Sequence, residues 1–335
     1  MTLSFSFIVP VYNRPNEIRE LLDSLSLQTF NQVFEVVVVE DGSTISSEDI
    51  IRDYVDTLSI SYYKKPNSGP GDSRNYGMKR AKGNYFIVLD SDCIIPPEYL
   101  KIVYKSLKED FVHCYGGPDA AHNSFSVVQK AINYAMTSFL TTGGIRGGKK
   151  AVGKFQPRSF NMGISKQAFE NVRGYGNIHP GEDPDLTIRI WNKGYKTKLI
   201  SEAFVFHKRR IDWNKFYIQV NKFGMVRPIL NQWHPETSKL TYWFPTLFCL
   251  GLLVSVLMGV IGVLIPLLCY ILYFFILFLD ALGKTKNLRV AILALFATGV
   301  QFIGYGYGFL KSTICIKLSK KKPEALFPKL FFKTN

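Results

Sequence analysis

The apolar residues of the N-terminal part fall into two kinds of run. Continuous apolar runs rich in β-branched residues predict buried strands at 5–11, 34–43, 60–65 and 85–93. Apolar residues at 18, 21, 22 and 25 have helical spacing and predict a helix over 16–28, and a second helix is predicted over 73–81. The repeated order of strand and helix predicts an α/β fold, with a mostly parallel sheet and helices on both faces.

Polar residues follow three of the predicted strands at the point where each strand ends. In a parallel α/β sheet, ligands bind at the carboxyl ends of the strands, so these side chains are expected along one edge. They are Tyr12, Asn13, Asp41, Gly42, Asp90 and Asp92. One polar ending is commonly a turn, but three endings at the same edge predict a site.

The sequence Asp90-Ser-Asp92 places two carboxylates one residue apart after a buried strand. In an extended segment, alternate side chains share a face, so Asp90 and Asp92 are expected to converge. Two like charges this close are unfavourable unless a cation lies near them, and carboxylates with few protein ligands suit Mg²⁺ or Mn²⁺. The alternative is a polar strand end with an Asx-turn, and this tripeptide alone does not decide between the two.

The C-terminal part has the hydrophobic pattern of a membrane protein. No charged side chain occurs from Leu240 to Leu279, and a helix of that length would reach about 60 Å, roughly two bilayer cores. Val290 to Leu310 is long enough for one more crossing. We therefore predict a soluble domain over 1–238, a membrane region over 239–312 with two or three transmembrane or re-entrant helices, and a basic tail over 313–335.

The net charge of +15 is concentrated beside the predicted membrane segments, at 284–289 and in the C-terminal tail. Cations flanking membrane spans mark the cytoplasmic side and attract anionic lipid, so we expect membrane lipid rather than nucleic acid as a partner. The five cysteines show no disulfide or zinc spacing, which fits a cytosolic soluble domain. Three full crossings would place the basic tail outside, so one segment is expected to be re-entrant or interfacial.

Six sequence blocks in order resemble the family 2 glycosyltransferases, which are inverting enzymes with a GT-A (nucleotide-diphospho-sugar transferase-like) fold. They cover residues 5 to about 230 and read FIVPVYNR, VVVVEDGS, NSGPGDSRNYGMKRAKGNYFIVLDSD, NMGISKQAFENVRGY, GEDPDLTIRIWNKGY and AFVFH. The resemblance implies a hexosyltransferase-type enzyme that uses a nucleotide-diphosphate sugar as donor, and we expect a UDP-linked donor.

The resemblance also implies roles for individual residues. Donor binding would involve Pro10, Tyr12, Asp41, Gly69, Gly71, Arg74, Asn75 and Asp90. Asp92 and His207 would bind Mg²⁺ or Mn²⁺, Asp183 would be the general base, and Glu182 would orient the acceptor or the loop. The helical pattern that starts at Pro184 would place Asp183 at or near an N-cap, and capping alone is the alternative role for Asp183.

The membrane segments and the resemblance together predict a multi-pass protein of the cytoplasmic membrane, with the catalytic domain facing the cytosol. The acceptor would be a lipid-linked or other glycan in surface polysaccharide synthesis. Two alternatives remain open: a polyprenyl-phosphate glycosyl synthase, and a non-catalytic membrane scaffold with the same fold. The glycine-rich segment 141–150 is predicted to be a lid, or else a plain flexible loop.

Overall fold

A computed structural model describes residues 2–120, 125–142, 154–207 and 212–332 of the chain. It divides into a first unit, Met1–His122, Ala151–Lys208 and Phe331–Asn335, and a second unit, Asn123–Lys150 and Arg209–Leu330. Most of the predicted lid, residues 143–150, lies outside the described residues.

The strands all belong to the first unit. They are β1 (Phe5–Val11), β2 (Glu35–Asp41), β3 (Ser59–Lys65), β4 (Tyr85–Leu89), β5 (Cys93–Ile94), β6 (Cys114–Gly116), β7 (Asp119–Ala120), β8 (Asn161–Ser165), β9 (Thr197–Leu199) and β10 (Val205–His207).

The helices are divided between the units. They are α1 (Pro15–Ser26), α2 (Glu48–Arg52), α3 (Pro70–Arg80), α4 (Tyr99–Glu109), α5 (Val127–Thr137), α6 (Phe139–Thr142), α7 (Lys166–Val172), α8 (Glu182–Asn192), α9 (Trp213–Trp233), α10 (Phe244–Val260), α11 (Ile265–Thr285), α12 (Leu288–Leu318) and α13 (Pro323–Leu326). Short 3₁₀ helices occur at Pro235–Thr237, Leu240–Trp243 and Pro328–Leu330.

The main sheet of the first unit has seven strands in the order β3-β2-β1-β4-β8-β6-β9. All its pairings are parallel except those of β8 with β4 and β6. The prediction of a mostly parallel sheet is therefore confirmed.

The alternation of side chains along β2 explains why helices cover both faces of this sheet. Val36 and Val38 are buried in one core together with α1 and α4 residues such as Leu21 and Leu100, whereas Val37 and Val39 are buried in a second core on the other face. Successive side chains of a strand point to opposite faces, so a strand buried on both faces is apolar throughout.

The predicted strand over 85–93 is too long. Strand β4 ends at Leu89, and the amide of Cys93 donates to the carbonyl oxygen of Asp90 at 3.1 Å. Asp90 and Asp92 therefore lie in a turn rather than on an extended strand, because this hydrogen bond closes the backbone between them. The three-stranded sheet β5-β10-β7 follows, and its register pairs His207 with Cys93.

Among its described residues, the second unit contains three helical segments long and apolar enough to cross a membrane: Leu240–Val260, Ile265–Thr285 and Leu288–Leu318. Many of their large apolar side chains are exposed, as expected for surfaces that face lipid. Helix α12 packs closely on α9, where a Cβ at Gly224 would overlap the carbonyl oxygen of Tyr305. Small residues at helix contacts are typical of membrane bundles.

Candidate active site

The ends of β1, β2 and β4 bring the predicted donor-binding residues to one edge of the main sheet. Strand β1 pairs in parallel with both β2 and β4, so the three carboxyl ends are neighbours. Pro10 is half-buried near the end of β1, and Tyr12 beyond it is 51% exposed. The side-chain oxygen of Asn13 accepts hydrogen bonds from the amides of Thr44 and Ile45, which ties the loops after β1 and β2 together.

Asp41 is a buried carboxylate at the end of β2. It accepts hydrogen bonds from the Lys65 ammonium at 2.6 Å and from the amides of Ser68 and Gly69, each at 3.0 Å. Gly69 has φ +92°, a conformation that residues with a Cβ rarely adopt. Gly69 is also the N-cap of α3, and Pro70 fits the first helical position, so this helix begins three residues before the predicted start.

Arg74 links the donor edge to the segment that carries the predicted base. Arg74 is only 3% exposed, and its guanidinium donates to Asp90 at 2.7 Å and to Glu182 at 3.3 Å. Burial alone would lower the pKa of Arg74, but Asp90, Tyr175 and Glu182 outweigh it and hold the pKa above its ordinary value. The guanidinium is therefore a permanent positive charge that neutralises two acids.

Glu182 has a second partner, because the Nδ1 atom of His179 lies 2.9 Å from its carboxylate. Burial would raise the pKa of Glu182, but His179 and Arg74 reverse that effect and lower the pKa to about 2. Glu182 is thus ionised at any pH at which the protein is expected to work.

Asp92 and His207 lie together, as the resemblance implied. The Nε2 atom of His207 is 3.2 Å from one Asp92 oxygen and 3.8 Å from an oxygen of Asp90. Arg14 donates to the other Asp92 oxygen. Burial would raise the pKa of Asp92, but His207 and Arg14 overcome it and hold the pKa below its usual range. The carboxylate is consequently available as a ligand.

Cys93 is the third potential metal ligand in this cluster, alongside Asp92 and His207. Burial raises the pKa of its thiol well above the ordinary value, and the sulfur contacts the carbonyl oxygen of Phe160 at 3.4 Å. A protonated thiol is a poor ligand, and hard cations prefer oxygen. The oxygen and imidazole ligands offered by Asp90, Asp92 and His207 fit Mg²⁺ or Mn²⁺.

Asp183 lies in the first turn of α8, which begins at Glu182 with Gly181 as its N-cap. The prediction that this helix starts at Pro184 is therefore wrong by two residues. Proline is compatible with any position of the first turn, where the backbone N–H groups have no helical partner, so it does not mark the start.

One carboxylate oxygen of Asp183 accepts a hydrogen bond from the Ser159 amide at 3.1 Å. The other oxygen is buried and has no hydrogen-bond partner among the residues that the structure describes. Burial and the neighbouring Glu182 charge raise the pKa of Asp183, although Arg74 and Arg158 partly oppose them. A buried carboxylate with an unpartnered oxygen and a raised pKa has the properties of a general base.

The side chain of Asn75, one of the predicted donor residues, connects two segments of the first unit. The Asn75 side chain donates to the carbonyl oxygen of Tyr175 at 2.9 Å and accepts from the Tyr175 amide at 2.8 Å. It thereby connects α3 to the loop before α8. Gly71 packs against the same loop, because a Cβ there would lie 3.1 Å from the Gly176 carbonyl oxygen.

Sequence reasoning missed Arg14, which contacts Asp92 across 78 positions of sequence. The only signal was its place at the end of the FIVPVYNR block, directly after the polar ending of β1. It also missed His179, whose contact with Glu182 depends on the fold of the loop before α8.

Comparison with known proteins agrees with this architecture. The sequence profile described as Glycosyl transferase family 2 matches residues 6–173, half of the chain. Asp183 and His207 lie beyond the matched segment. Among curated relatives, glycosyltransferase GlyA of Streptococcus pneumoniae is 28% identical over 198 residues, which cover 58% of this chain and 25% of GlyA.

A second relative is the poly(ribitol-phosphate) β-N-acetylglucosaminyltransferase TarS of Staphylococcus aureus, which is 42% identical over 102 residues. That alignment covers 30% of this chain and 18% of TarS. The chain thus spans a quarter or less of the length of these two relatives.

Solved structures share the fold over nearly the whole chain. Residues 1–349 of S. aureus TarS in complex with UDP-GlcNAc superimpose with a TM-score of 0.50 and 19% identity, covering 92% of this chain and 91% of that one. The mannosyltransferase PcManGT of Pyrobaculum calidifontis, in complex with GDP-Man and Mn²⁺, gives a TM-score of 0.59 at 15% identity and covers 95% and 88%. The predicted GT-A-like fold is confirmed.

Proposed function

Because this chain belongs to glycosyl transferase family 2, we propose that it is an inverting, metal-dependent glycosyltransferase with a UDP-linked sugar as donor. The observation that carries the proposal is the pairing of two acidic centres in the first unit. One is the Asp90, Asp92 and His207 cluster, and the other is the buried Asp183. Arg74 and Glu182 connect them.

The donor nucleotide is assigned to the edge formed by β1, β2 and the loop before α3. Asp41 provides carboxylate oxygens there that would accept a hydrogen bond from the ring N–H of a base such as uracil. Tyr12 presents an exposed aromatic ring that suits base stacking. The TarS complex with UDP-GlcNAc supports a UDP donor, whereas the PcManGT complex holds GDP-Man.

Asp92 and His207, with Asp90 beside them, are the residues that would hold Mg²⁺ or Mn²⁺. When bound, the ion would supply positive charge against the diphosphate leaving group. The Mn²⁺ in the PcManGT complex supports this assignment. Arg14 and Arg74 add fixed positive charge near the same acids.

Asp183 would remove the proton from the acceptor hydroxyl. The hydroxyl oxygen forms a bond to the anomeric carbon of the donor sugar while the bond from that carbon to the diphosphate oxygen breaks. The nucleotide diphosphate leaves with the bonding electron pair, and a single displacement of this kind inverts the anomeric configuration. A raised pKa brings the base closer to the pH at which general-base catalysis is most efficient.

The three membrane-capable helices support a lipid-linked glycan as the acceptor and a location in the cytoplasmic membrane, with the first unit in the cytosol. They equally suit a second candidate function, in which a polyprenyl phosphate is itself the acceptor. Transfer of labelled sugar into a lipid that mild acid hydrolyses would favour this second function. A product stable to mild acid would favour the glycan acceptor.

The proposed donor site is tested by calorimetric titration of the detergent-extracted full chain with UDP, GDP and dTDP, with and without Mn²⁺. We expect Mn²⁺-dependent binding of UDP that is lost in Asp92→Ala and retained in Asp53→Ala, which removes an acid from an exposed ion pair in the same unit. If the folded protein binds none of the three nucleotides, the donor site is refuted and the non-catalytic scaffold becomes the better explanation.

A further inference from the structure

The C-terminal residues Phe331 and Phe332 belong to the first unit and lie on two of its loops. Phe331 forms an antiparallel bridge with Ile178, and the amide of Phe332 donates to the Asn177 carbonyl oxygen at 3.0 Å. The Phe332 ring centre lies 5.9 Å from the ring centre of His179. These contacts hold the end of the chain on the loop that leads into α8.

The same ring packs against Gly69 in the loop before α3. A Cβ placed on Gly69 would overlap three atoms of the Phe332 ring, so only glycine permits this contact. At φ +92°, the N–H bond of Gly69 and the direction of a Cβ are nearly opposite about the N–Cα bond. The ring and the Asp41 carboxylate, which accepts from that N–H, therefore lie on different sides of the glycine.

Phe332 thus contacts both loops next to the candidate site residues, namely the loop before α3 and the loop before α8. Gly69 is bound to Asp41 and caps α3, which carries Arg74. His179 contacts Glu182, and Glu182 contacts Arg74. The contacts form a closed series, which runs from Phe332 through Gly69, α3, Arg74, Glu182 and His179 back to Phe332.

We propose that Phe332 is a positioning residue of the donor site, a role that rests on the function proposed above. Its ring holds the Gly69 loop against Asp41 and fixes this loop relative to the loop before α8. Because the loop is already ordered before the nucleotide binds, binding does not have to supply the free energy of ordering it. Because the ring lies on the opposite side of Gly69 from Asp41, it supports the pocket rather than filling it.

The test compares Phe332→Ala and Phe332→Tyr with the wild type, using the full chain in detergent. Hydrogen exchange is measured without ligand for segments 66–72 and 176–182, and UDP affinity is measured with Mn²⁺. We expect Phe332→Ala to accelerate exchange in both segments and to weaken UDP binding about fivefold to tenfold, equivalent to about 1 to 1.4 kcal/mol. The kcat at saturating donor should change less than twofold. Phe332→Tyr should keep both the hydrogen exchange and the UDP affinity of the wild type.

Phe111→Ala is the matched control, because Phe111 is a partly exposed phenylalanine of the same unit whose ring contacts Tyr85 and His113. It should leave exchange in both segments and UDP affinity unchanged. Unchanged exchange in Phe332→Ala, or an equal acceleration throughout the first unit, would overturn the proposal. Tighter UDP binding would also overturn it, because the ring would then be obstructing the site.

Failure of the wild type to bind any nucleotide diphosphate would instead refute the proposed function. The exchange comparison is made without ligand, so it still decides whether Phe332 holds the two loops.

Discussion

Replacing Asp183 with asparagine should abolish most of the activity while leaving the protein at least as stable. The substitution preserves the size of the side chain and an oxygen that can accept from the Ser159 amide. It removes the negative charge and the ability to take a proton. Few substitutions at a buried, hydrogen-bonded position are expected to stabilise a protein, so the combination is diagnostic.

The stability effect follows from the Asp183 oxygen that has no hydrogen-bond partner among the described residues. A buried polar group without a partner costs about 1 to 3 kcal/mol, and the amide NH₂ of asparagine would retain part of that cost. We therefore expect a gain of about 1 kcal/mol, which raises Tm by roughly 2 to 4 °C for a domain of this size.

The sign of the pH dependence follows from the raised pKa of Asp183. The folded carboxylate is destabilised relative to the unfolded one only when the group is ionised. The advantage of asparagine should be complete above the raised pKa of Asp183. It should disappear below 3.8, the ordinary pKa of an aspartate, where both the folded and the unfolded forms are protonated.

The activity effect follows from the loss of the proposed base. General-base catalysis contributes about 10²- to 10⁴-fold, so kcat should fall by that factor while UDP affinity stays within about twofold of the wild type. The assay measures nucleotide release from the sugar donor with native membrane extract as the source of acceptor, alongside thermal unfolding of the detergent-extracted chain.

Asp185→Asn is the matched control on the same helix. Asp185 accepts two hydrogen bonds from Arg189, at 2.7 and 3.0 Å, so its loss should lower Tm and leave kcat unchanged. Activity of Asp183→Asn within tenfold of the wild type would refute the assignment of the base. A fall in its Tm equal to that of Asp185→Asn would refute the argument from the unpartnered oxygen.

Three further predictions concern charged groups of the candidate active site. Glu182→Gln removes a like charge beside Asp183, the proposed base, so the acidic limb of the kcat/KM profile should move to lower pH. A shift to higher pH would contradict this. Arg74→Met leaves Asp90 and Glu182 without their buried partner and should cost about 3 to 5 kcal/mol in denaturant unfolding. A loss below about 1 kcal/mol would mean that water solvates the two carboxylates and replaces the arginine. Arg14→Met removes the cation paired with Asp92, so Mn²⁺ should bind more tightly in the absence of nucleotide. A direct titration with Mn²⁺ measures this, and weaker binding would show that Arg14 supports the metal site.

The sheet and most of its strand ends could be predicted from the sequence because they depend on local pattern. A strand buried on both faces is apolar throughout, as at Val36 to Val39, and the polar residue after it marks its end. Errors occurred where turn chemistry competes with that pattern. The turn at Asp90 to Asp92 and the early start of α8 both depend on backbone hydrogen bonds that hydrophobicity does not encode.

The candidate site was predictable in its residue types and only partly in its contacts. Asp92 and His207 were assigned as a pair, and they lie 3.2 Å apart. Their proximity could not be derived from spacing, since β10 reaches β5 through a separate small sheet. Asn75 was expected to bring its backbone close to the nucleotide, and this stays a prediction. The contact of its side chain with the Tyr175 backbone was not foreseen, because it joins α3 to a loop about 100 positions away.

The sequence alone therefore determined the α/β class, the membrane-capable helices and the set of acids at the strand ends, because each of these is a property of adjacent residues. Only the tertiary structure decided which charges neutralise one another and which oxygen has no partner within the described part of the chain. Arg74 contacts Glu182 across 108 positions, and the Phe332 ring is the group that a Cβ on Gly69 would strike. Such contacts arise from the order in which strands pair and loops pack, and no local pattern records that order.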